Sequence, residues 1–175
     1  GCRGGKILWL NNETVLFSST SREPVEEGCT AFYQLPLTGG EAVHAFTVRE
    51  KVDAIRMIDA TRFLIVCQED LSEKEDVPED RAKKGIDFEV FDELPFWANG
   101  RGIVNKLRRA ARIFDSATGE LTRVTPQGFD VHDARLSPGR DKVLYCGAAP
   151  VDDVDRRQGG LWLYDIASGR TDTLI

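Results

Sequence analysis

Three serines sit in short polar stretches of the chain: Ser116, Ser137 and Ser168. A serine hydrolase of the α/β type needs its nucleophile in G-x-S-x-G, where a sharp strand-to-helix turn lifts the hydroxyl beside an oxyanion hole. None of the three has that setting. The histidines are His44 and His132. His44 falls in an expected closing strand. His132 stands beside Asp133, but a catalytic dyad is a geometric relation, not adjacency in sequence. Both are read as structural or surface residues. Asp92-Glu93 pairs two carboxylates, yet neighbours on a strand point to opposite faces. The cysteines, at positions 2, 29, 67 and 146, form no CxxC pair, and a zinc site needs closer ligand spacing. They are read as reduced thiols of a cytoplasmic protein. The acidic run after Cys67 lacks the D-x-[DN]-x-[DN]-G pattern of a calcium loop, and there is no P-loop and no GxGxxG. The expectation is a chain with no catalytic residue, no metal and no cofactor of its own.

The elements around these residues are strands. From Val131 to Ile175 the order is strand, turn, strand, loop, strand, turn, strand, each strand a short aliphatic and aromatic run bounded by Gly, Pro, Ser or Asp. Four antiparallel strands joined this way form a meander, the unit of a propeller blade. The unit recurs. Val15-Leu16-Phe17-Ser18-Ser19, Phe63-Leu64-Ile65-Val66-Cys67 and Val143-Leu144-Tyr145-Cys146-Gly147 read as one strand in three copies. Each copy is followed by a glycine turn, at Gly39-Gly40, Gly119 and Gly169. The interval from Val15 to Gly40 matches that from Val143 to Gly169 within a residue, while the middle copy is longer by about 30 residues. This predicts an all-β fold: a partial β-propeller of about three four-stranded antiparallel blades, spanning 6–48, 49–125 with an insertion at 68–102, and 126–175.

The insertion has two parts. Glu69 to Lys84 is dense in both charges and holds Pro78, which predicts a solvated loop. Asp87 to Gly102 follows, with a strand-like Phe88-Val90-Phe91, an interrupting Pro95 and a turn signal at Asn99-Gly100. Here Phe96 and Trp97 lie close to Arg101. Two readings of the aromatics stay open. They pack the insertion onto its blade, or they line a rim that faces a partner domain or a substrate, since aromatics with Arg are typical interface anchors. Phe96, Trp97 and Arg101 are therefore the candidate contact residues.

Composition narrows the classes further. The 175 residues carry a net charge of −6, with 41% hydrophobic and 30% charged side chains, an ordinary globular balance. Nucleic-acid binding is not expected, because phosphate contacts need clustered Lys and Arg. The one basic cluster, Lys106, Arg108, Arg109 and Arg112, leads into an expected strand. No apolar run approaches the roughly 20 residues that cross a bilayer. The chain starts on Gly1 rather than Met and is read as a piece of a longer one. Three blades leave open sheet edges, through which the fragment is expected to self-associate.

The segments GGLWLYDIASGR (159–170) and ARIFDSATGELTRVT (111–125) resemble the closing blade strands in the N-terminal propeller of the prolyl oligopeptidase family, the S9 serine peptidases. LSPGRDKVLYCG (136–147) resembles that family's recurring SPDG blade start, and DELPFWANGRGIVNKLRRAARIFD (92–115) is similar to acylaminoacyl-peptidase and dipeptidyl-peptidase-like members. One departure is plain: the family's Asp-Gly turn is Gly139-Arg140-Asp141 here. The resemblance implies a non-catalytic propeller portion. Its partner would be an α/β-hydrolase domain of the same longer chain, which it covers while admitting short peptide substrates. It also favours the rim reading of Phe96, Trp97 and Arg101. A reading from another class is a stand-alone TolB- or WD40-like interaction module. Continuation of the chain separates the two, since a downstream G-x-S-x-G belongs only to the peptidase.

Overall fold

The structure is a computed structural model and describes residues 5–20, 22, 25–72, 97–98, 102–103, 106–150 and 157–175. The described residues form strands and turns, with no helix. Blade 1 consists of β1 (Ile7–Asn11), β2 (Thr14–Ser18), β3 (Thr30–Pro36) and β4 (Val43–Val48). Blade 2 takes β5 (Val52–Met57), β6 (Arg62–Asp70), β9 (Leu107–Asp115) and β10 (Leu121–Arg123). Between β6 and β9 lie the short strands β7 (Trp97–Ala98) and β8 (Gly102–Ile103), which pair with each other. Blade 3 is β11 (Asp130–Leu136), β12 (Lys142–Pro150), β13 (Arg157–Asp165) and β14 (Thr171–Thr173). Each of the three sheets is a four-stranded antiparallel meander. The expected all-β, three-bladed architecture is what the chain adopts.

Blade 2 explains why its central strand reads as an unbroken apolar run. Side chains alternate across a sheet, so one covered face gives alternation and two covered faces give continuity. Phe63, Ile65 and Cys67 pack with Leu16, Phe32 and Val48 of blade 1. Leu64 and Val66 pack with Val131, Val143 and Tyr145 of blade 3. All five residues from Phe63 to Cys67 are buried. Strand β9 splits in the same way, with Ala110 and Phe114 toward blade 1 and Ala111 and Ile113 toward blade 3. Rings finish both junctions. Phe46 stacks obliquely on Phe63 and Phe114 at 5.1 and 5.2 Å. Phe129 meets Tyr145 and Trp162 edge-on at 5.4 and 4.9 Å, while those two rings stack at 5.7 Å.

The turns repeat with the strands. In blade 2 the amide of Gly119 donates to Asp115 O and the amide of Asp115 donates to Glu120 O. In blade 3 Gly169 and Asp165 do the same with Asp165 O and Arg170 O. Both glycines take a left-handed conformation, φ 77° and 69°, which a side chain would strain. In the turn between β11 and β12 that conformation falls on a non-glycine residue, Arg140, at φ 58°. This is the position at which the sequence departs from the SPDG pattern.

Strand β6 runs further than the sequence predicts. Gln68, Glu69 and Asp70 continue the ladder with Arg109, Arg108 and Leu107. The expected solvated loop therefore begins about three residues later, because the acidic end of β6 faces the basic start of β9.

Candidate functional site

The insertion leaves blade 2 through a narrow neck. Asp70 pairs with Leu107, and the amide of Leu71 donates to Lys106 O at 3.0 Å. Lys106 takes a left-handed φ of 54° as the chain turns back into β9. The chain therefore leaves and re-enters blade 2 at one end of the sheet, beside two sets of charged side chains.

Two charged sets stitch that end. Toward blade 1, Arg112 donates to Glu50 Oε1 at 2.6 Å and to Glu69 Oε1 at 2.8 Å, and Arg123 also donates to Glu69 Oε1. Arg112 and Glu69 are mostly buried. Glu50 lies in the connection from β4 to β5, and its carbonyl accepts from Thr30 Oγ1 at 2.8 Å. Toward blade 3, the amide of Arg109 donates to Asp130 Oδ1 at 3.0 Å and its guanidinium donates to His132 O at 3.1 Å. Arg109 also faces Asp53 at 3.4 Å, and Gln68 donates to the other oxygen of Asp53 at 3.3 Å. Farther along the same junction Arg56 donates to Ala134 O at 3.1 Å.

This arrangement holds blades together and presents no reactive group. The carboxylates named above are engaged by Arg or amide donors. Ser137 Oγ donates to Asp141 and Ser168 Oγ to Asp165, each closing its turn, and Ser116 Oγ donates to Thr61 O, tying two turns of blade 2 together. His44 hydrogen-bonds Thr47 Oγ1 at 2.9 Å and sits edge-on to Tyr33. His132 is exposed and joins the blade 2–3 stitch through its carbonyl. Neither histidine stands by a serine in these contacts. Cys67 is buried beneath Ala110 O at 3.6 Å, and burial pushes its thiol up to about 12, which makes it inert as a nucleophile. Cys29, Cys67 and Cys146 are free thiols. Among the described residues no group of three or more His, Cys, Asp or Glu side chains could hold a metal ion, and no helix is long and apolar enough to cross a membrane.

Of the candidate contact residues, Phe96 and Arg101 lie outside the described residues. Trp97 starts β7 and pairs with Ile103 of β8. The Asn99-Gly100 turn signal thus falls between two paired strands, as its chemistry requires, while Phe88-Val90-Phe91 and Asp92-Glu93 lie outside the described residues. Sequence reasoning missed the Glu50–Arg112–Glu69–Arg123 set. Its members are far apart in the chain, and the only signal was the basic cluster opposite an acidic run.

A concavity of about 530 Å³ opens at the other end of the blades, lined by Trp9, Leu10, Asn11, Asn12, Met57 and Arg140. It gathers the tight turns of blades 1 and 3 around the end of β5.

No protein-family model and no curated protein matches this chain. Solved structures do. An acylaminoacyl peptidase in complex with Z-Gly-Gly-Phe-chloromethyl ketone is similar over 99% of this chain, with TM-score 0.61 and 14% identity. The acylaminoacyl peptidase of Pyrococcus horikoshii, in its orthorhombic crystal form, is similar over 93% of this chain, with TM-score 0.57 and 15% identity. The chain spans only 25% and 23% of the length of those two. At such low identity the likeness is one of fold, and that fold is three consecutive four-stranded blades of a β-propeller.

Proposed function

We propose that the chain is the non-catalytic propeller portion of an S9-like serine peptidase, gating and orienting short peptides for a hydrolase domain outside these 175 residues. The observation that carries this reading is the superposition of nearly the whole chain on a quarter of an acylaminoacyl peptidase. It is supported by the GGLWLYDIASGR and DELPFWANGRG segments and by the hydroxyls of Ser116, Ser137 and Ser168, which are all engaged in contacts of the blade turns. The mechanism is steric: a rigid ring of blades admits a peptide by size and presents it in one orientation. The neck at Leu71 and Lys106 fixes where the insertion leaves the ring, and Phe96, Trp97 and Arg101 are the residues assigned to meet peptide or hydrolase domain.

The test is hydrolysis of acylated and free-amino-terminal short peptides by this chain, beside the product of the whole reading frame. Activity confined to the longer product is expected. Activity in neither favours an interaction module, and activity in this chain alone overturns the proposal. In the longer product, Trp97→Ala and Arg101→Ala are expected to raise KM for the longer of these peptides before they affect kcat.

A further inference from the structure

The concavity of about 530 Å³ at the turn end of the blades is built from inner elements. Strand β1 lies against β5, and Arg56 of β5 donates to Ala134 O of β11. The first strands of the three blades therefore run side by side, and the hollow opens at their ends. Leu10 and Met57 form its apolar wall, and both pack on the cluster that joins blades 1 and 2. Asn11, Asn12 and Arg140 form its polar rim, and all three are exposed. Trp9 alternates to the outer side of blade 1, between Leu8 and Leu10; the polar rim does not depend on it.

Arg140 is singled out at this rim by two independent features. One is its backbone, left-handed at φ 58°, a conformation unfavourable for any residue with a Cβ. Glycine is at hand one position earlier, yet Gly139 does not take that conformation. Strain of this kind collects at ligand sites, where the side chain has a use. The other feature is the guanidinium itself. Among the described residues it makes no hydrogen bond and no ion pair. The carboxylates of Asp59 and Asp141 are held in their own turns, by Arg62 and by the Ser137 hydroxyl. A full positive charge thus stands at the rim without a partner. Asn11 adds a donor: its Oδ1 accepts from the Glu13 amide at 2.8 Å, which leaves the hydrogens of its Nδ2 unused by that turn.

We propose that this concavity binds the C-terminal carboxylate of a short peptide. Arg140 forks onto the two carboxylate oxygens, the geometry for which a guanidinium is suited. Asn11 donates beside it, and Leu10 and Met57 receive the last side chain. An apolar hollow with a few convergent polar groups is the usual build of a small-ligand site. One unpaired cation matches the single charge of a carboxylate, not a phosphate dianion. That the carboxylate belongs to a peptide rests on the peptidase reading. The site lies at the opposite end of the blades from the neck at Leu71 and Lys106.

Titration calorimetry of the 175-residue chain with N-acetyl-trialanine, its C-terminal carboxamide and acetate tests the assignment. The free-acid peptide is expected to bind saturably, and more weakly as salt is added. The carboxamide and acetate should each bind at least about tenfold more weakly, one lacking the charge and the other the wall contacts. Arg140→Gly and Arg140→Gln should each lose at least about tenfold in affinity with the circular dichroism spectrum unchanged. Arg140→Gln keeps a long side chain in the same turn, so its loss reports the missing charge and not a relaxed backbone. Arg140→Lys should keep part of the affinity, because an ammonium retains the charge without the fork. Absence of binding overturns the proposal, as does equal binding of acid and carboxamide, equal binding of acetate, or full binding by Arg140→Gln. No hydrolysis enters the measurement. Peptide hydrolysis by the longer product without binding here sinks this proposal alone. Binding here with no hydrolysis there sinks the peptidase reading and leaves the site.

Discussion

Arg112 of β9 and Glu69 of β6 meet at 2.8 Å on the blade 1 side of blade 2, and Glu50 at 2.6 Å makes the guanidinium bridge two carboxylates. The pair is largely shielded from water, and Glu69 also accepts from Arg123. Removing one member of a shielded set leaves its partners as uncompensated charges. Arg112→Ala is expected to cost roughly 3 kcal/mol, read by urea denaturation at fixed protein concentration. Arg112→Lys should recover only part of that, because an ammonium cannot fork between two carboxylates. A loss below about 0.5 kcal/mol would put the set among ordinary surface ion pairs.

Gly147 and Gly159 face each other's neighbourhoods across β12 and β13 but differ in the space around them. A Cβ on Gly147 would lie 2.1 Å from Asp130 O and 2.5 Å from a Phe129 ring carbon. On Gly159 the nearest atom is Gly147 O at 3.8 Å. Gly147→Ala must push β11 off its ladder or displace the Phe129 ring that meets Trp162 edge-on, an overpacking that costs about 3 kcal/mol. Gly159→Ala is expected to be neutral or slightly stabilising, because it restricts the unfolded chain. Thermal melts of the two variants decide the matter, and equal losses would be incompatible with this packing.

What could be read from the sequence, and what could not, follows from the range of the forces. The strands were legible because each apolar run ends in turn residues, and the repeat of Phe63–Cys67 in two other places gave the blade. The glycine turns at Gly119 and Gly169 were legible because left-handed backbone favours Gly. The extension of β6 through Gln68–Asp70 was not. Acidic residues in a charged run read as solvent-exposed, and only the pairing with Arg108 and Arg109 across the sheet keeps them in a strand. The Glu50–Arg112–Glu69–Arg123 set was hidden for the same reason, since it joins residues up to 62 positions apart. Of the candidate contact residues, only the backbone of Trp97 falls where the structure describes it, in β7.

Four turn and junction aspartates make the fold acid-sensitive. Asp59 is held below the usual carboxylate range by the amide of Arg62, then by its guanidinium. The amide and hydroxyl of Ser168 lower Asp165, and the Ser137 hydroxyl lowers Asp141. Burial pushes Asp133 up, but hydrogen bonds from Arg135 and from the Ala134 amide outweigh it and the net shift is downward. A folded value below the unfolded one means that the unfolded chain takes up protons first. The stabilisation is present in full above the unfolded value of about 3.9 and is lost as pH falls through the folded values. The melting temperature should therefore be level above about pH 5 and fall below about pH 4. Asp59→Asn and Asp165→Asn should shrink that fall. A melting temperature that holds constant to about pH 2.5 would show that these bonds add nothing to stability.

Arg140 stores strain in the turn between β11 and β12. Its φ of 58° is left-handed, and the turn is fixed by the Arg140 amide on Ser137 O at 2.9 Å and by Ser137 Oγ on Asp141 at 2.6 Å. A side chain in that conformation costs roughly 1–2 kcal/mol against glycine. Glycine gives part of this back through the greater freedom of the unfolded chain. Arg140→Gly is thus expected to stabilise by roughly 0.5–1 kcal/mol. Arg140→Asn should fall between glycine and the native residue, because Asn tolerates this conformation better than Arg. Arg140→Val should destabilise, because branching at Cβ sharpens the clash. Gly169→Ala supplies the opposite sign in the matching conformation of a neighbouring turn, φ 69°. Urea denaturation of all four variants gives the ordering. If Arg140→Gly is the least stable of the three at its position, the side chain supports the turn or the concavity beside Trp9 by contact, and the strain account is wrong.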